Sequence, residues 1–478
     1  MRPHGGTPHS DAARPAGGPP GGELLPDPLV RAAVRPAEVL IARAQVLDPR
    51  TGVDAPHDVL VREGRIAEIG APGEIDAPPG CEVIDGEGRS LFPAFVDPHV
   101  HLRTPGQEHK EDIETGTRAA AAGGFCLVAG MPNTDPVVDS ASILRSLRDT
   151  AARQARIPVG FLAAITTGLE GRELTEMAAL RSAGALGFTD DGRPVVSAGM
   201  LRLALQYQRL AGGTIALHEE DPALSAGGSM HEGEISALLG IAGIPSISES
   251  TMVARDAEIA GYEDARVHMQ HLSCSASVDA VAAAKSRGWH VTAEASPHHL
   301  CLTHEAVRGL DTSLKMNPPL RAEADRQALI DGLRSGVVDC VATDHAPHAR
   351  DEKELPFEQA PMGTTGLETS FAALHTELVL PGVLSLDILV ERMTAGAALL
   401  DLPTPRIALG EPANLCLVDL DAVWVVGEDG YESRSANCCF AERELRGRVL
   451  LTIAAGAVAY RERGFAVSAA PDLGTAPA

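Results

Sequence analysis

Lysine is scarce in this chain: Lys110, Lys285, Lys315 and Lys353 are the only four among 478 residues, and none lies between positions 111 and 284. Basic residues as a whole are outnumbered, 40 Lys and Arg against 65 Asp and Glu, for a net charge of −25. That balance disfavours nucleic acid or an anionic membrane as the main partner, although a local arginine can still oppose the global field and hold a small anion. No apolar stretch approaches the length of a membrane span. The N-terminus lacks the basic start and apolar region of a secretory signal. None of the eight cysteines, at 81, 126, 274, 301, 340, 416, 438 and 439, forms a Cys-x-x-Cys pair. Most sit in apolar contexts and read as buried, reduced thiols of a cytoplasmic protein, not as a disulfide framework. The adjacent Cys438 and Cys439 lack the nearby partners that a soft-metal site needs.

Residues 1–36 are dense in Gly, Pro and Ala, as in Ala16-Gly17-Gly18-Pro19-Pro20-Gly21-Gly22. Such a composition cannot bury a core, so this extension is expected to be disordered, and 466–478 to be a flexible tail. Short strand-like runs follow from Glu38 to Val83: Val39–Ala42, Val59–Val61 and Arg65–Ile69, separated by turns such as Asp48-Pro49-Arg50-Thr51-Gly52. The pattern returns in Ala413–Asp419, Val423–Val426, Val449–Ala454 and Ala457–Arg461. Residues 37–90 and 405–465 are therefore expected to form one small composite β-sandwich domain.

Between them, over 91–404, eight apolar runs alternate with helical patterns. The runs are Phe92–His101, Phe125–Met131, Val159–Ile165, Ala185–Thr189, Thr214–His218, Val267–Leu272, His290–Ala295 and Val338–Thr343. Thr115–Ala122, Leu174–Ser182, Ala198–Leu210, Val278–Arg287 and Ala324–Arg334 read as helices. Eightfold strand–helix alternation predicts an α/β fold, a (β/α)8 TIM-like barrel, with chemistry at the C-terminal strand ends. An open doubly wound sheet is the alternative, but no Gly-rich phosphate loop stands where that fold needs one.

The strand ends are rich in His and Asp. Asp97-Pro98-His99-Val100-His101-Leu102-Arg103 ends the first, whose Leu91–Val96 run reads as a buried strand. Side chains two apart on a strand share a face, so His99 and His101 can reach one metal ion, with Arg103 beside them for an anionic substrate. By itself such a pair is as often a satisfied core feature as a ligand set. Asp190-Asp191-Gly192, His218-Glu219-Glu220, Gln270-His271, Ser296-Pro297-His298-His299 and Thr343-Asp344-His345 end other runs. Any one is compatible with a turn or cap; together they predict a two-metal site. His99, His101 and Asp344 suit one ion, His218 and His271 a second, with a carboxylate from strand four between cations roughly 3.5–4 Å apart. His298, His299 and His345 are expected to be supporting residues, and His231, His268 and His304 ordinary histidines.

These residues resemble the amidohydrolase superfamily and, within it, the bacterial dihydroorotase group whose metals are bridged by an aspartate. The segments that carry the resemblance are Asp97 to Gly106, Met131-Pro132-Asn133-Thr134, Thr189-Asp190-Asp191-Gly192, His218-Glu219-Glu220, His271-Leu272-Ser273, Lys315-Met316-Asn317-Pro318-Pro319-Leu320-Arg321 and Thr343 to His348. They span about residues 91 to 370. Many superfamily members, hydantoinases among them, bridge with a carbamylated lysine, which this chain cannot supply at strand four. The resemblance places the bridge on Asp191, with Asp190 as rival. It implies two divalent ions (zinc first, with cobalt and manganese also compatible) and gives Asp344 the proton-shuttle role as well as a ligand role. It implies that Arg103, Asn133 and His348 clamp a substrate α-carboxylate, that Asn317 meets the ring amide, and that His101, Met362 and Gly363 also touch substrate. Met362 stands where the family usually has an aromatic residue. Asn437-Cys438-Cys439-Phe440 departs from the usual Asn-Thr-Pro-Phe and is expected to concern the β domain, not the chemistry. The implied activity is interconversion of N-carbamoyl-L-aspartate and L-dihydroorotate in pyrimidine biosynthesis, by a homo-oligomer, with aspartate transcarbamoylase as a conceivable partner. An allantoinase- or hydantoinase-like activity and a silent scaffold are the competing readings.

Overall fold

The computed structural model describes residues 26–465 and 468–469. Eight strands lie side by side in chain order: Phe95–Val100, Phe125–Gly130, Val159–Ala163, Gly187–Thr189, Thr214–Leu217, Val267–Met269, Val291–Ala295 and Cys340–Val341. Each pairs in parallel with the next. The sheet closes on itself where Val100 bridges His345 and the His101 N–H donates to the His345 carbonyl at 2.9 Å. This is the expected barrel, and the open-sheet alternative falls with its closure. Most strands are buried along their whole length, as in Phe-Cys-Leu-Val-Ala-Gly and Val-Gly-Phe-Leu-Ala. Burial on both faces is why they read as continuous apolar runs without alternation.

Helices cover the outside. Ile113–Ala122 begins at Asp112, whose carboxylate accepts the Thr115 N–H at 2.8 Å, and buries small residues Gly116, Ala119, Ala120 and Ala121 against the barrel. That cap satisfies one of the helix's orphan donors. Among the described residues, no helix is long and apolar enough to cross a membrane. The eight cysteines are all free, seven of them buried.

The nine-stranded composite sheet draws Val39–Asp48, Val53–Arg62, Arg65–Gly70, Glu82–Asp85 and Ser90–Pro93 from one side of the barrel sequence, and Leu415–Val425, Glu444–Ala454, Ala457–Arg461 and Ser468–Ala469 from the other. The two halves join where Ser90–Pro93 runs antiparallel to Leu415–Val418. Val39, Ile41, Val59, Ile84, Leu415 and Ile453 contribute to its separate core.

Three expectations change. The Leu91–Val96 run is not one strand. The Ala94 N–H donates to the Asn414 carbonyl at 3.0 Å and the Phe95 N–H to that of Gly124 at 2.9 Å, so successive backbone donors serve different sheets and the composite sheet keeps the chain as far as Pro93. Residues 26–36, expected within a disordered extension, dock on the barrel. Val30 exchanges two 2.9 Å backbone bonds with Val159, and Arg31 donates to the Ala454 and Ala455 carbonyls. Leu29 and Val30 pack on the main core, a local apolar pair that the Gly/Pro average conceals. Ser468 and Ala469, expected within a flexible tail, pair with Val83 and Glu82. The rest of both terminal expectations lies outside the described residues.

Barrel and sheet meet at an aromatic cluster. Phe371 stacks on Phe95 at 5.5 Å and lies 5.8 Å from Phe92, and Phe95 meets Phe125 edge-on at 5.8 Å. Because Phe92 belongs to the composite sheet and Phe95 to the barrel, Phe371 locks the two together. Phe371→Ala is expected to destabilise the protein by about 3–5 kcal/mol, read as a lowered urea-unfolding midpoint; an unchanged midpoint contradicts this role.

Candidate metal centre

The centre is assembled by a carboxylate that stays on the strands. Buried Asp97 accepts the Thr343 hydroxyl at 2.5 Å and the His99 N–H at 3.1 Å, pinning strand one to the end of strand eight. His99 and His101 thereby come to Asp344, with His101 Nε2 3.1 Å and His99 Nε2 3.6 Å from its Oδ1. Arg103, His271 and Asp344 all take positive φ, at 54°, 31° and 47°. Non-glycine residues hold that conformation only where the surrounding structure enforces it.

Asp191 lies at the middle. Its oxygens are 3.5 Å from His99 Nε2, 3.5 Å from His101 Nε2, 3.6 Å from His218 Nδ1 and 3.7 Å from His271 Nε2. Asp190 points elsewhere: it accepts the Ile165 and Thr166 N–H groups at 2.8 and 3.0 Å and the Thr166 hydroxyl. The geometry therefore separates the two rivals and brings only Asp191 to the histidines.

The donor set fits divalent metal. On three rings the outer nitrogen is engaged by an acceptor: His99 Nδ1 by Glu294 at 2.7 Å, His101 Nδ1 by the Asn133 amide oxygen at 3.0 Å, and His218 Nε2 by Glu220 at 3.1 Å. In the neutral ring an outer N–H leaves the inner nitrogen as a lone pair, the state a metal requires. His99 Nε2 is buried with no hydrogen-bond partner, and His218 Nδ1 and His271 Nε2 converge to 2.8 Å. Ligand atoms of His99, His101 and Asp344, and of His99, Asp191 and His271, group within 4.8 Å of one another. Burial raises the Asp191 and Asp344 carboxyls, yet the facing histidines hold both below the usual range. Burial lowers His218, but Asp191 and Glu220 win and bring it up to about 9. Buried anions that draw positive charge so strongly suit a cation site.

Glu294 is the supporting residue that the strand-end reading missed. One carboxylate takes His99 Nδ1, the His271 N–H at 3.2 Å and His268 Nε2 at 2.9 Å. His268 is thus part of this frame and not an ordinary histidine. A lone Glu inside the buried strand Val-Thr-Ala-Glu-Ala was the available signal. His299 bonds Ser296 and the Pro318 carbonyl, and His345 bonds Glu111, as supporting residues.

The expected substrate residues form neighbouring groups. Arg103 is 9% exposed, donates to the Pro347 carbonyl at 3.1 Å, and makes no salt bridge among the described residues. His348 Nε2 donates to the Met362 carbonyl at 2.9 Å, which leaves its Nδ1 without a hydrogen bond. Gly363, at φ +138°, is required: a Cβ there would meet the Ala346 Cβ at 2.8 Å and its carbonyl at 2.9 Å. Asn437 accepts the His348 N–H and donates to the Ala346 and Gly363 carbonyls. The segment expected to concern only the β domain therefore braces this loop; Cys438 and Cys439 pack in an apolar cluster. Asn133 turns to the metal side, its amide taken by His101 and, at 3.1 Å, by Asp191, with one amide proton left over. Asn317 donates to Glu220 at 2.6 Å.

Asp191→Ala is expected to lose at least one metal ion per chain by elemental analysis. Asp190→Ala is expected to retain the metals and lose about 1–3 kcal/mol of stability through its stranded backbone donors; metal loss confined to the Asp190 variant would reverse the assignment.

A family model described as Dihydro-orotase-like matches residues 88–295. A dihydroorotase from Desulforapulum autotrophicum is 44% identical over 418 residues, covering 87% of this chain and 98% of that protein. One from Syntrophotalea carbinolica is 43% identical over 425 residues, covering 89% and 99%. Among solved structures, the L-hydantoinase (dihydropyrimidinase) of Arthrobacter aurescens superposes with a TM-score of 0.79 at 26% identity, over 88% of this chain and 96% of that one. A D-hydantoinase from Thermus sp. gives 0.74 at 28% identity, over 90% and 97%. Identity of 43–44% over nearly the whole length of these dihydroorotases shows that the chain belongs to the dihydroorotase family.

Proposed function

We propose that this centre catalyses the reversible cyclisation of N-carbamoyl-L-aspartate to L-dihydroorotate and water, the dihydroorotase step of pyrimidine biosynthesis. The observation that carries the reading is Arg103, a buried guanidinium that makes no salt bridge among the described residues, set two residues beyond a histidine of the metal cluster. Asp344, Asp191, Glu352 and Glu111 offset its charge only at a distance, and a substrate carboxylate supplies the directly bonded partner in forked geometry. Hydantoin and allantoin offer no carboxylate to it.

His99, His101 and Asp344 would hold one divalent ion and His218 and His271 the other, with Asp191 between them; zinc is the proposed metal for both. Bound there, the ions would polarise the amide carbonyl and make water a nucleophile near neutral pH. In ring opening, water oxygen bonds to the cyclic amide carbon and the C–N bond breaks. Asp344, kept ionised by its histidines, accepts the water's proton and delivers it to the departing ring nitrogen. Cyclisation returns the same proton along the same path. Arg103 binds the α-carboxylate together with the free amide proton of Asn133, and His348 completes the clamp by turning its single ring proton from the Met362 carbonyl to the substrate. Asn317 meets the ring amide, and Met362 and Gly363 line the substrate beside His348. Holding the ring in one orientation turns the attack into an effectively intramolecular step.

A cytoplasmic homo-oligomer and docking of an aspartate transcarbamoylase belong to the same proposal, and size-exclusion runs with and without that enzyme test them. A silent scaffold is disfavoured because every expected ligand residue is present and converges.

Two outcomes test the chemistry. Asp344→Asn is expected to fold and bind dihydroorotate but lose about 10²–10⁴-fold in kcat; full turnover would remove the proton-shuttle role. Arg103→Lys is expected to lower kcat/KM for dihydroorotate about 10- to 100-fold, the worth of a charged hydrogen bond. Equal turnover of dihydroorotate, hydantoin and allantoin by the unaltered protein would point to a general cyclic amidase instead.

A further inference from the structure

Glu220 follows strand five, directly after the His218-Glu219 pair, whereas Asn317 comes 97 residues later on the segment between strands seven and eight. One oxygen of Glu220, Oε2, receives both: His218 Nε2 at 3.1 Å and Asn317 Nδ2 at 2.6 Å. A carboxylate only accepts, so both partners must donate to it. On His218 this holds a proton on Nε2, so that Nδ1, facing Asp191 and His271, is the nitrogen that would give up its proton to a metal ion. On Asn317 it turns the NH2 group toward Glu220 and leaves the amide oxygen as an acceptor with no protein donor among the described residues. A free amide oxygen beside the metal cluster is complementary to a ring N–H and not to a ring carbonyl.

We propose that Glu220 is a positioning residue that couples the two halves of the site: through one carboxylate oxygen it sets both the metal-facing nitrogen of His218 and the acceptor face that Asn317 presents to a ring N–H of the substrate. The proposal rests on the reading of His218 as a metal ligand and of Asn317 as a substrate contact. It adds that the two depend on each other. Loss of Glu220 frees His218 to place its proton on either nitrogen, which weakens metal binding. It also frees Asn317 to flip its amide, which replaces an acceptor by a donor opposite the ring N–H.

The test uses Glu220→Ala, Glu220→Gln, Asn317→Ala and the Glu220→Ala/Asn317→Ala double variant of the full chain. Zinc affinity of the apoprotein is read by competition with a chromophoric chelator, and KM for dihydroorotate at saturating zinc. Glu220→Ala is expected to weaken one of two zinc ions about 10- to 100-fold and to raise KM about tenfold, the worth of one hydrogen bond. Asn317→Ala is expected to raise KM alike and leave zinc affinity unchanged. The double variant is expected to show the KM of Asn317→Ala alone, because both substitutions remove the same contact. Glu220→Gln keeps an acceptor oxygen and is expected to recover most of the zinc affinity, which a merely structural role for the charge would not allow. If Glu220→Ala fails to fold, Glu220→Asp takes its place, since withdrawing the carboxylate by one methylene breaks the same two contacts. Unchanged zinc affinity in Glu220→Ala, or a KM rise that multiplies with that of Asn317→Ala, overturns the coupling while leaving both parent assignments standing. Unchanged KM in Asn317→Ala overturns the substrate assignment itself, and the coupling with it.

Discussion

The structure depends on a single carboxylate placed where four histidine rings converge. Asp191 reaches His99, His101, His218 and His271 within 3.7 Å, from a position between rings carried by strands one, five and six. So much polar surface in an apolar barrel is tolerable only if its charges are compensated. The surrounding residues serve that end. Glu294, Asn133 and Glu220 take the outer nitrogens of three rings and so turn the inner nitrogens toward Asp191. Asp97 holds strand one to strand eight so that Asp344 joins the group. Cations at the centre would complete the charge balance, and the barrel holds the candidate ligands already converged.

The fold was legible because a parallel barrel strand buried on both faces appears as an uninterrupted apolar run, and all eight runs contain a strand of the barrel. What composition could not show was where one sheet hands the chain to another. Leu91–Val96 is uniformly apolar, and only the partners of the Ala94 and Phe95 N–H groups divide it. Residues 26–36 depart for the opposite reason, since inside a Pro- and Gly-rich extension Leu29 and Val30 pack on the core while Val30 and Arg31 bond to the backbone.

The candidate ligands were legible for a related reason: each sits at the C-terminal end of a strand, where a polar residue interrupts an apolar run. Glu294 escaped because it stands alone inside the run His290–Ala295 with no His or Asp beside it, and Asn437 because it approaches the His348–Gly363 loops from another part of the chain. Adjacent aspartates are not separable by spacing; the structure separates Asp190 from Asp191 by giving one to the backbone of Ile165 and Thr166. The fold itself does not choose a substrate, since hydantoinases superpose on nearly the whole chain. In the proposed function the choice falls to Arg103 and to the aspartate that stands where no lysine is available.

The most direct measurement is a metal titration of the purified apoprotein, with bound metal counted and dihydroorotate hydrolysis assayed at each step. The account predicts that activity climbs with metal content and reaches its plateau at two ions per chain. Full dihydroorotate hydrolysis at zero or one ion per chain would contradict it.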